Sequence, residues 1–149
     1  MDKKEANDDG YRMLSDAGYS DKAIEYFQAK ENMGVIEDAD QITDLVGPCG
    51  DTMKISFNMD GDTINDAKIQ VLGCPGAVAS GCAVVNLTRG KTLDEAARID
   101  MDVFNKEVGK LPNKKIHCAR LAIKTLQKAL KEYEEKSQGK ATGESAGRK

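Results

Sequence analysis

Three cysteines in this sequence stand beside residues that can bind a metal or bend the backbone. Cys49 precedes Gly50 and Asp51, Cys74 follows Gly73, and Cys118 follows His117, the only histidine of the chain. Thiolate, imidazole and carboxylate groups are the usual protein ligands of zinc, and thiolates hold iron–sulfur clusters. The absence of a Cys-x-x-Cys sequence disfavours a zinc ribbon, a thioredoxin motif and a ferredoxin. Two interpretations stay open: one metal centre built from three distant segments, or three buried thiols without a ligand.

A fourth cysteine, Cys82, fits poorly into the same centre. A helix is expected to begin near Cys74, because Pro75 and a run of small apolar residues follow it. At a rise of about 1.5 Å per residue, Cys82 then lies about 12 Å farther along that helix. Metal–sulfur bonds of about 2.3 Å require sulfur atoms within a few ångströms of one another. We therefore predict that Cys82 packs as a small hydrophobic residue, with an auxiliary thiol as the alternative.

The elements that must position these cysteines begin with a small sheet. Alternating apolar and polar residues predict a strand over Thr52–Asp60, whose apolar face faces inward. The turn signal after it leads to a second strand over 64–72, so the two form an antiparallel hairpin, and a further strand over Gln41–Val46 precedes them. Cys49 would then lie between the first two strands in chain order, and Cys74 after the last.

Helices are expected before and after the sheet. The sequence predicts one from Asp21 that ends near residues 32–34, one from Cys74 or Pro75 to about residue 88, and short ones after the capping box at Thr92 and over 101–108. A long helix begins just after Pro112 and has lysines on its solvent side, at Lys124, Lys128 and Lys131. Cys118 lies in its first turns. Because helix N-termini favour thiolates, we expect the thiol pKa values of Cys74 and Cys118 to be lowered.

The order of these elements indicates an α+β fold, in which helices cover a three-stranded antiparallel sheet. The folded domain is expected over residues 19–136. Residues 1–18 and 137–149 are rich in polar and charged residues without periodicity, so we predict a flexible N-terminal tail and a disordered C-terminal tail.

Composition and charge exclude several classes of protein. A net charge of -3 argues against a dedicated nucleic-acid binder, which needs clustered Lys and Arg. The longest uncharged stretch, residues 69–88, is interrupted by polar residues and glycines, so we expect it to be buried and not to span a membrane. The charged N-terminus carries no signal-peptide pattern, and a cytoplasmic location is expected. Four cysteines in a reducing compartment are ligands or reactive thiols more readily than disulfides.

Whole segments around these residues resemble a known family. The segments are GPCGDTMKISFNMDGDTINDAKIQVLGC, CPGAVAS, GKTLDEA and LPNKKIHCARLAIKTLQKALKEY, and the similarity covers residues 19 to about 135. They are similar to the IscU/NifU N-terminal-type scaffold proteins of iron–sulfur cluster assembly. The resemblance implies the IscU/NifU-N-like fold and a scaffold or carrier that is not an enzyme.

The resemblance also implies a ligand set and partners. A transient [2Fe-2S] cluster, its iron, or zinc in the resting form would be held by Cys49, Cys74 and Cys118, with Asp51 or His117 completing the set. Sulfur would come from a cysteine desulfurase, and the cluster would pass to acceptor apo-proteins.

Two departures from the family pattern bear on function. Better-known bacterial members carry Leu-Pro-Pro-Val-Lys as the docking segment for an Hsp70/J-type chaperone pair, whereas residues 111–115 here read LPNKK, which weakens the case for such chaperones. The insertion of the zinc-dependent SufU-type sulfur acceptors is missing between Cys74 and Cys118, which favours the IscU-type branch. Two alternatives remain: a zinc-bound persulfide acceptor, in effect a sulfurtransferase relay, and an interaction module with buried cysteines and a lysine-rich docking face.

Overall fold

The computed structural model describes residues 8–28, 32–48, 50–109 and 111–142. The strands are β1 (Gln41–Val46), β2 (Thr52–Asp60) and β3 (Thr63–Leu72). The helices are α1 (Asp8–Asp16), α2 (Asp21–Gln28), α3 (Pro75–Thr88), α4 (Leu93–Ala97), α5 (Met101–Val108) and α6 (Ile116–Thr142), and a 3-10 turn at Asn113–Lys115 precedes α6. The predicted elements occur in the predicted order, and α1 and the 3-10 turn are present in addition. β3 begins one residue earlier than expected, and α2 is described to Gln28, whereas the sequence predicted an end near residues 32–34.

The sheet is antiparallel with the order β1-β2-β3. Met53, Ile55 and Phe57 alternate along β2 and are fully buried, as the sequence pattern predicted. Helices α3 and α6 pack side by side against this face, and α2 packs on α3. The ring of Tyr133 on α6 meets Phe57 edge to face at 5.6 Å between centroids. The α+β fold class, a three-stranded antiparallel sheet covered by helices, is thus confirmed.

The opposite face of β2 is less exposed than alternation alone predicts. Ser56 is fully buried, and its hydroxyl is satisfied there by a hydrogen bond that it accepts from the Ile36 N–H at 3.0 Å. The same segment runs along the free edge of β3, where the Gly34 N–H donates to the Ile69 carbonyl at 2.8 Å. The connection between α2 and β1 therefore covers part of the outer face and one edge of the sheet.

The free edge of β1 is covered by side chains of α6. Lys128 donates to the Asp44 carbonyl at 2.9 Å, and Lys136 donates to the Asp40 carbonyl at 2.7 Å. Between them Glu132 accepts a hydrogen bond from Thr43 at 2.7 Å. Lys128 is exposed, as predicted for the solvent side of this helix, but its ammonium group also satisfies a strand carbonyl. These contacts join α6 to the strand that leads to Cys49 and Asp51, and they occupy an edge on which another strand could pair.

The two predicted tails are partly helical. Helix α1 lies inside the stretch 1–18, and its Tyr11 and Leu14 pack against the core while the Tyr11 hydroxyl donates to Asp21. These contacts stabilise α1, which the polar composition of the segment alone does not predict. At the other end α6 continues to Thr142, beyond the predicted boundary at residue 136. Residues 1–7 and 143–149, on which the rest of the tail prediction depends, lie outside the described residues.

The uncharged stretch 69–88 divides between the end of β3 and α3, and most of its α3 part is buried. Its placement inside the domain agrees with the expectation from the sequence. Over the described ranges, every helix is too short or too polar to cross a membrane.

The packing of α3 on the sheet can be tested at Gly81. A Cβ atom there would lie 3.0 Å from Ile69 Cδ1 and 3.1 Å from Val71 Cγ2, so Gly81→Val should lower the free energy of unfolding by roughly 1–3 kcal/mol through overpacking. Gly10→Ala on α1 is the control, because nothing lies within 4 Å of the added Cβ and alanine should stabilise by about 0.5–1 kcal/mol. Urea denaturation followed by circular dichroism measures both, and equal stability of the two variants would contradict this packing.

Candidate metal centre

Two of the connections that carry predicted ligands leave the sheet at the same end. Val46 at the end of β1 pairs with Thr52 at the start of β2, and Thr52 pairs with Leu72 at the end of β3. The connection from β1 to β2 contains Asp51, and the turn from β3 to α3 contains Cys74. Antiparallel register therefore places both connections side by side.

The start of α6 brings the third segment to this end of the sheet. His117 and Cys118 lie in the first turn of α6. Three residues farther along, Leu121 packs so closely on the connection after β1 that a Cβ atom at Gly47 would lie 2.9 Å from Leu121 Cδ2. The helix that carries Cys118 thus rests directly on the loop that carries Asp51.

Four of the five predicted site residues come together. The Sγ atoms of Cys74 and Cys118 are 3.7 Å apart, and Cys118 Sγ lies 3.6 Å from His117 Nε2 and 4.0 Å from Asp51 Oδ2. One ligand atom from each of Asp51, His117 and Cys118 lies within 4.8 Å of the other two. The fifth predicted residue, Cys49, lies outside the described residues.

Two glycines allow the Asp51 connection and the Cys74 turn to approach each other. A Cβ atom at Gly73 would lie 2.8 Å from Asp51 Cγ, closer than side chains tolerate, so a larger residue would displace the carboxylate. Gly50 has φ +90°, a backbone conformation that other residues adopt only with strain. The glycines beside the cysteines are therefore required by the geometry of the site.

The site is open to solvent on one side. Cys118 is fully buried, whereas Asp51, Cys74 and His117 are half-buried. Cys82 is fully buried among the apolar residues of the core, which agrees with its predicted packing position. A metal or cluster held here would contact both the protein interior and the surface.

The environment of Cys74 favours its thiolate. Burial raises the pKa of the Cys74 thiol, but the Ala77 N–H, the Cys118 thiol and the Lys115 ammonium group together lower that pKa below its ordinary value. Cys74 is the N-cap residue of α3 and makes no capping hydrogen bond of regular geometry. The prediction of a lowered pKa at a helix N-terminus is confirmed for this thiol.

The same prediction is wrong for Cys118. Burial, and then the negative charges of the neighbouring Cys74 and Asp51, together raise the pKa of its thiol to about 12. The first turn of α6 is too weak an influence to reverse these effects. Without a cation, the pair therefore keeps one proton, which stays on Cys118 while Cys74 ionises first.

Two further residues belong to this environment. Lys115 lies three residues before Cys118, and its hydrogen bond with Cys74 raises the pKa of its ammonium group. Tyr19 was not anticipated: it is 7% exposed, and burial followed by the charge on Cys74 raises the pKa of its hydroxyl. Its distance in sequence from the other site residues leaves no spacing signal by which it could have been found.

The donor set suits two kinds of inorganic ligand. Two thiols, an imidazole and a carboxylate are the ligand types of a tetrahedral zinc ion, and thiolates with one other ligand can hold an iron–sulfur cluster. Because the cation must displace the proton of Cys118, binding of either is expected to release protons.

Known proteins with similar sequences are named for cluster assembly. The chain matches the family model described as "NifU-like N terminal domain" over residues 18–140. It is 39% identical over 116 residues to the iron–sulfur cluster assembly scaffold protein IscU 1 of Archaeoglobus fulgidus, covering 77% of this chain and 76% of that protein. It is 37% identical over 132 residues to the mitochondrial iron sulfur cluster assembly protein 1 of Yarrowia lipolytica, covering 85% and 72%.

Solved structures agree with the fold. A SUF-system protein of Fervidobacterium islandicum, named as a candidate iron–sulfur cluster assembly scaffold, matches with a TM-score of 0.61 and 27% identity, covering 75% of this chain and 96% of that one. The N-terminal part of a NifU-like protein from Brucella abortus matches with a TM-score of 0.65 and 20% identity, covering 82% and 98%, which supports the fold alone. With the family match extending over residues 18–140, the chain belongs to the family of NifU-like N-terminal domains.

Proposed function

We propose that this protein is a scaffold on which an iron–sulfur cluster is assembled and from which it is passed on. The observation that carries the proposal is the approach of Cys74 Sγ and Cys118 Sγ to 3.7 Å at a half-open site, with Asp51 and His117 beside them. Relatives at 34–39% identity that are named as cluster assembly scaffolds support it. In this role the protein is a carrier and not an enzyme.

The ligands we propose for a [2Fe-2S] cluster are Cys49, Cys74 and Cys118, with Asp51 or His117 as the fourth. Cys49 stands in the sequence two residues before Asp51, in the connection between β1 and β2. Two irons that share bridging sulfides need ligands from more than one direction, and this donor set comes from three separate segments. Zinc would occupy the same ligands in the resting protein.

The charge of the proposed ligand set fits a cluster that is bound reversibly. Three thiolates and a carboxylate carry more negative charge than a diferric [2Fe-2S] core cancels, and Lys115 offsets part of the excess through Cys74. A carboxylate is also a harder and poorer partner for iron–sulfide than a thiolate. Asp51 would therefore weaken the hold on the cluster and aid its release.

The partners follow from this chemistry. A cysteine desulfurase would supply sulfur, and acceptor apo-proteins would take the cluster from the half-open side. A reducing compartment such as the cytoplasm would keep the thiols available. Because residues 111–115 read LPNKK, we propose that release does not depend on an Hsp70/J-type chaperone pair.

A zinc-bound sulfur acceptor is the second candidate. The favouring observation is that donor atoms of Asp51, His117 and Cys118 lie within 4.8 Å of one another, as a single tetrahedral ion requires. In that case a thiol would receive sulfur as a persulfide and relay it. The two functions predict different metal contents.

Anaerobic reconstitution separates the two functions. The protein is incubated with ferrous iron, cysteine and a cysteine desulfurase, and then analysed for iron, acid-labile sulfide, zinc and visible absorption. A scaffold should gain charge-transfer bands with equal iron and sulfide. Retained zinc with persulfide on one cysteine would instead support the relay and contradict the scaffold.

The first prediction concerns the cysteines. Cys49→Ser, Cys74→Ser and Cys118→Ser should each abolish stable assembly, because each removes a thiolate ligand. Cys82→Ser is the matched control and should assemble the cluster normally, since Cys82 is buried in the core. Iron and sulfide content after desalting measures the effect, with circular dichroism to establish folding. Equal loss in all four variants would refute the assignment of ligands.

The second prediction concerns Asp51. The Asp51→Ala variant should hold the cluster longer and transfer it more slowly to an acceptor apo-protein. The transfer rate should fall by roughly tenfold if the lost carboxylate changes the barrier by about 1.4 kcal/mol. Transfer is followed by visible circular dichroism. Asp44→Ala is the control, because Asp44 lies on β1 and its bond to Lys128 on α6 is made by the carbonyl, which the substitution keeps. Unchanged transfer in Asp51→Ala would remove this residue from the release step.

The third prediction concerns the ionisation of Cys74 and its coupling to Cys118. In the metal-free protein, iodoacetamide should label Cys74 before Cys118, and the labelling rate of Cys74 should reach its plateau at a lower pH than that of a free cysteine, because its pKa is lowered. Cys118→Ala removes a group that lowers this pKa, so the midpoint should move to higher pH. Cys82→Ala should leave it in place. Site-resolved mass spectrometry measures the rates, and an unmoved midpoint in Cys118→Ala would contradict the coupling of the two thiols.

A further inference from the structure

The connection that carries Asp51 is closed by its own backbone. The Gly47 N–H donates to the Asp51 carbonyl at 2.8 Å, and the Gly50 N–H donates to the Gly47 carbonyl at 3.0 Å. Both hydrogen bonds include Gly47, which follows directly after β1. The backbone of Asp51 is therefore fixed relative to Gly47, and a contact that holds Gly47 also holds Asp51.

One side chain of α6 holds Gly47 from outside this connection. Apart from its chain neighbours, the three atoms nearest to a Cβ atom at Gly47 would be Leu121 Cδ2 at 2.9 Å, Cδ1 at 3.4 Å and Cγ at 3.5 Å. Leu121 is 4% exposed, so the contact lies in the interior of the protein. Because all three atoms belong to one side chain, a single substitution removes the contact.

The same turn of α6 carries Cys118. Leu121 follows it by three residues, and residues three apart are neighbours on one side of a helix. Cys118 Sγ lies 4.0 Å from Asp51 Oδ2. One turn of α6 thus approaches the connection twice, through the leucine at Gly47 and through the thiol at the Asp51 carboxylate. Since the helix fixes the two α6 residues relative to each other, the contact at Gly47 determines how near the carboxylate comes to the thiol.

The Asp51 carboxylate has little freedom to compensate for a displacement of its connection. It also lies against the turn after β3, because a Cβ atom at Gly73 would be 2.8 Å from Asp51 Cγ. The carboxylate therefore packs on that turn and approaches the first turn of α6. A shift of Gly47 changes the position of the carboxylate relative to both.

We propose that Leu121 is a positioning residue that holds the Asp51 connection against α6 and thereby sets the separation of the Asp51 carboxylate and the Cys118 thiol. Its consequence for a bound cluster rests on the proposed scaffold function, whereas the positioning of the carboxylate in the metal-free protein does not. Leu121 acts through Gly47 and Asp51.

The test compares two leucine-to-alanine variants of matched burial. Leu121→Ala removes Cγ, Cδ1 and Cδ2, the three atoms that face Gly47. Leu130→Ala is the control, because Leu130 is also 4% exposed and lies in the core about 13 Å farther along α6. Leu121→Met conserves most of the side-chain volume, so it should behave like the unmodified protein.

The contact itself is tested with Gly47→Ala on the metal-free protein. Gly47 has no positive φ, so the backbone tolerates alanine and the effect reports the added Cβ atom. Gly47→Ala should lower the midpoint of urea denaturation. Combination with Leu121→Ala should reduce this loss by roughly half or more, because it makes room for the Cβ, whereas combination with Leu130→Ala should leave the full loss. If Leu121→Ala does not fold, Gly47→Ala displaces the connection from the other side of the same contact.

Two readouts report the position of the carboxylate. In the metal-free protein, the NMR chemical shift of Asp51 Cγ should change in Leu121→Ala and in Gly47→Ala, and should stay unchanged in Leu130→Ala. On the reconstituted protein, the first two variants should slow transfer of the cluster to an acceptor apo-protein by up to roughly tenfold, the change expected for loss of the carboxylate itself. Leu121→Ala added to Asp51→Ala should slow transfer no further.

The outcomes distinguish this inference from the proposed function. A full loss of stability from Gly47→Ala in the presence of Leu121→Ala would overturn the contact. An unchanged Asp51 Cγ signal in both variants would overturn the positioning of the carboxylate. Transfer slowed further by Leu121→Ala in the Asp51→Ala background would contradict a role through Asp51. If the unmodified protein assembles no cluster while the Asp51 signal still responds, the scaffold proposal fails and the positioning stands.

Discussion

The site depends on the approach of two sulfur atoms that come from opposite halves of the domain. Cys74 and Cys118 lie 3.7 Å apart with Cys118 fully buried, so both do not ionise together. Burial and then this closeness raise the pKa of Cys118, while that of Cys74 is lowered. The metal-free protein therefore avoids two adjacent buried anions by keeping one proton. A cation removes the conflict, since both thiolates can then share its charge.

That approach is produced by the whole fold and not by a local motif. Antiparallel register sets the ends of β1 and β3 and the start of β2 side by side, which brings Asp51 to the turn that holds Cys74. The third partner arrives on α6, which is fixed to β1 by Lys128 and Lys136 far from the site. Contacts of α6 as far along as Lys136 thus contribute to the position of Cys118.

The parts of this arrangement that the sequence reveals are those with local causes. The strands follow from alternation and from the turn between β2 and β3, and the approach of Asp51 to the Cys74 turn follows from where those strands end. α1 was missed because its helix depends on packing of Tyr11 and Leu14 against a core formed elsewhere. The buried Ser56 and the raised pKa of Cys118 were mispredicted for the same reason, since segments distant in sequence determine both.

The surroundings of Cys74 show the same dependence, and they bear on how a scaffold of the proposed kind would hold and then release a cluster. Here Tyr19 Oη would lie 3.1 Å from a Cβ atom at Gly76, and Lys115 reaches Cys74 from the segment before α6, so the position of Cys74 depends on contacts between segments. Such contacts break without unfolding the core. A partner that displaced one segment could therefore loosen the ligands while Phe57 and the other core residues of the sheet stay packed.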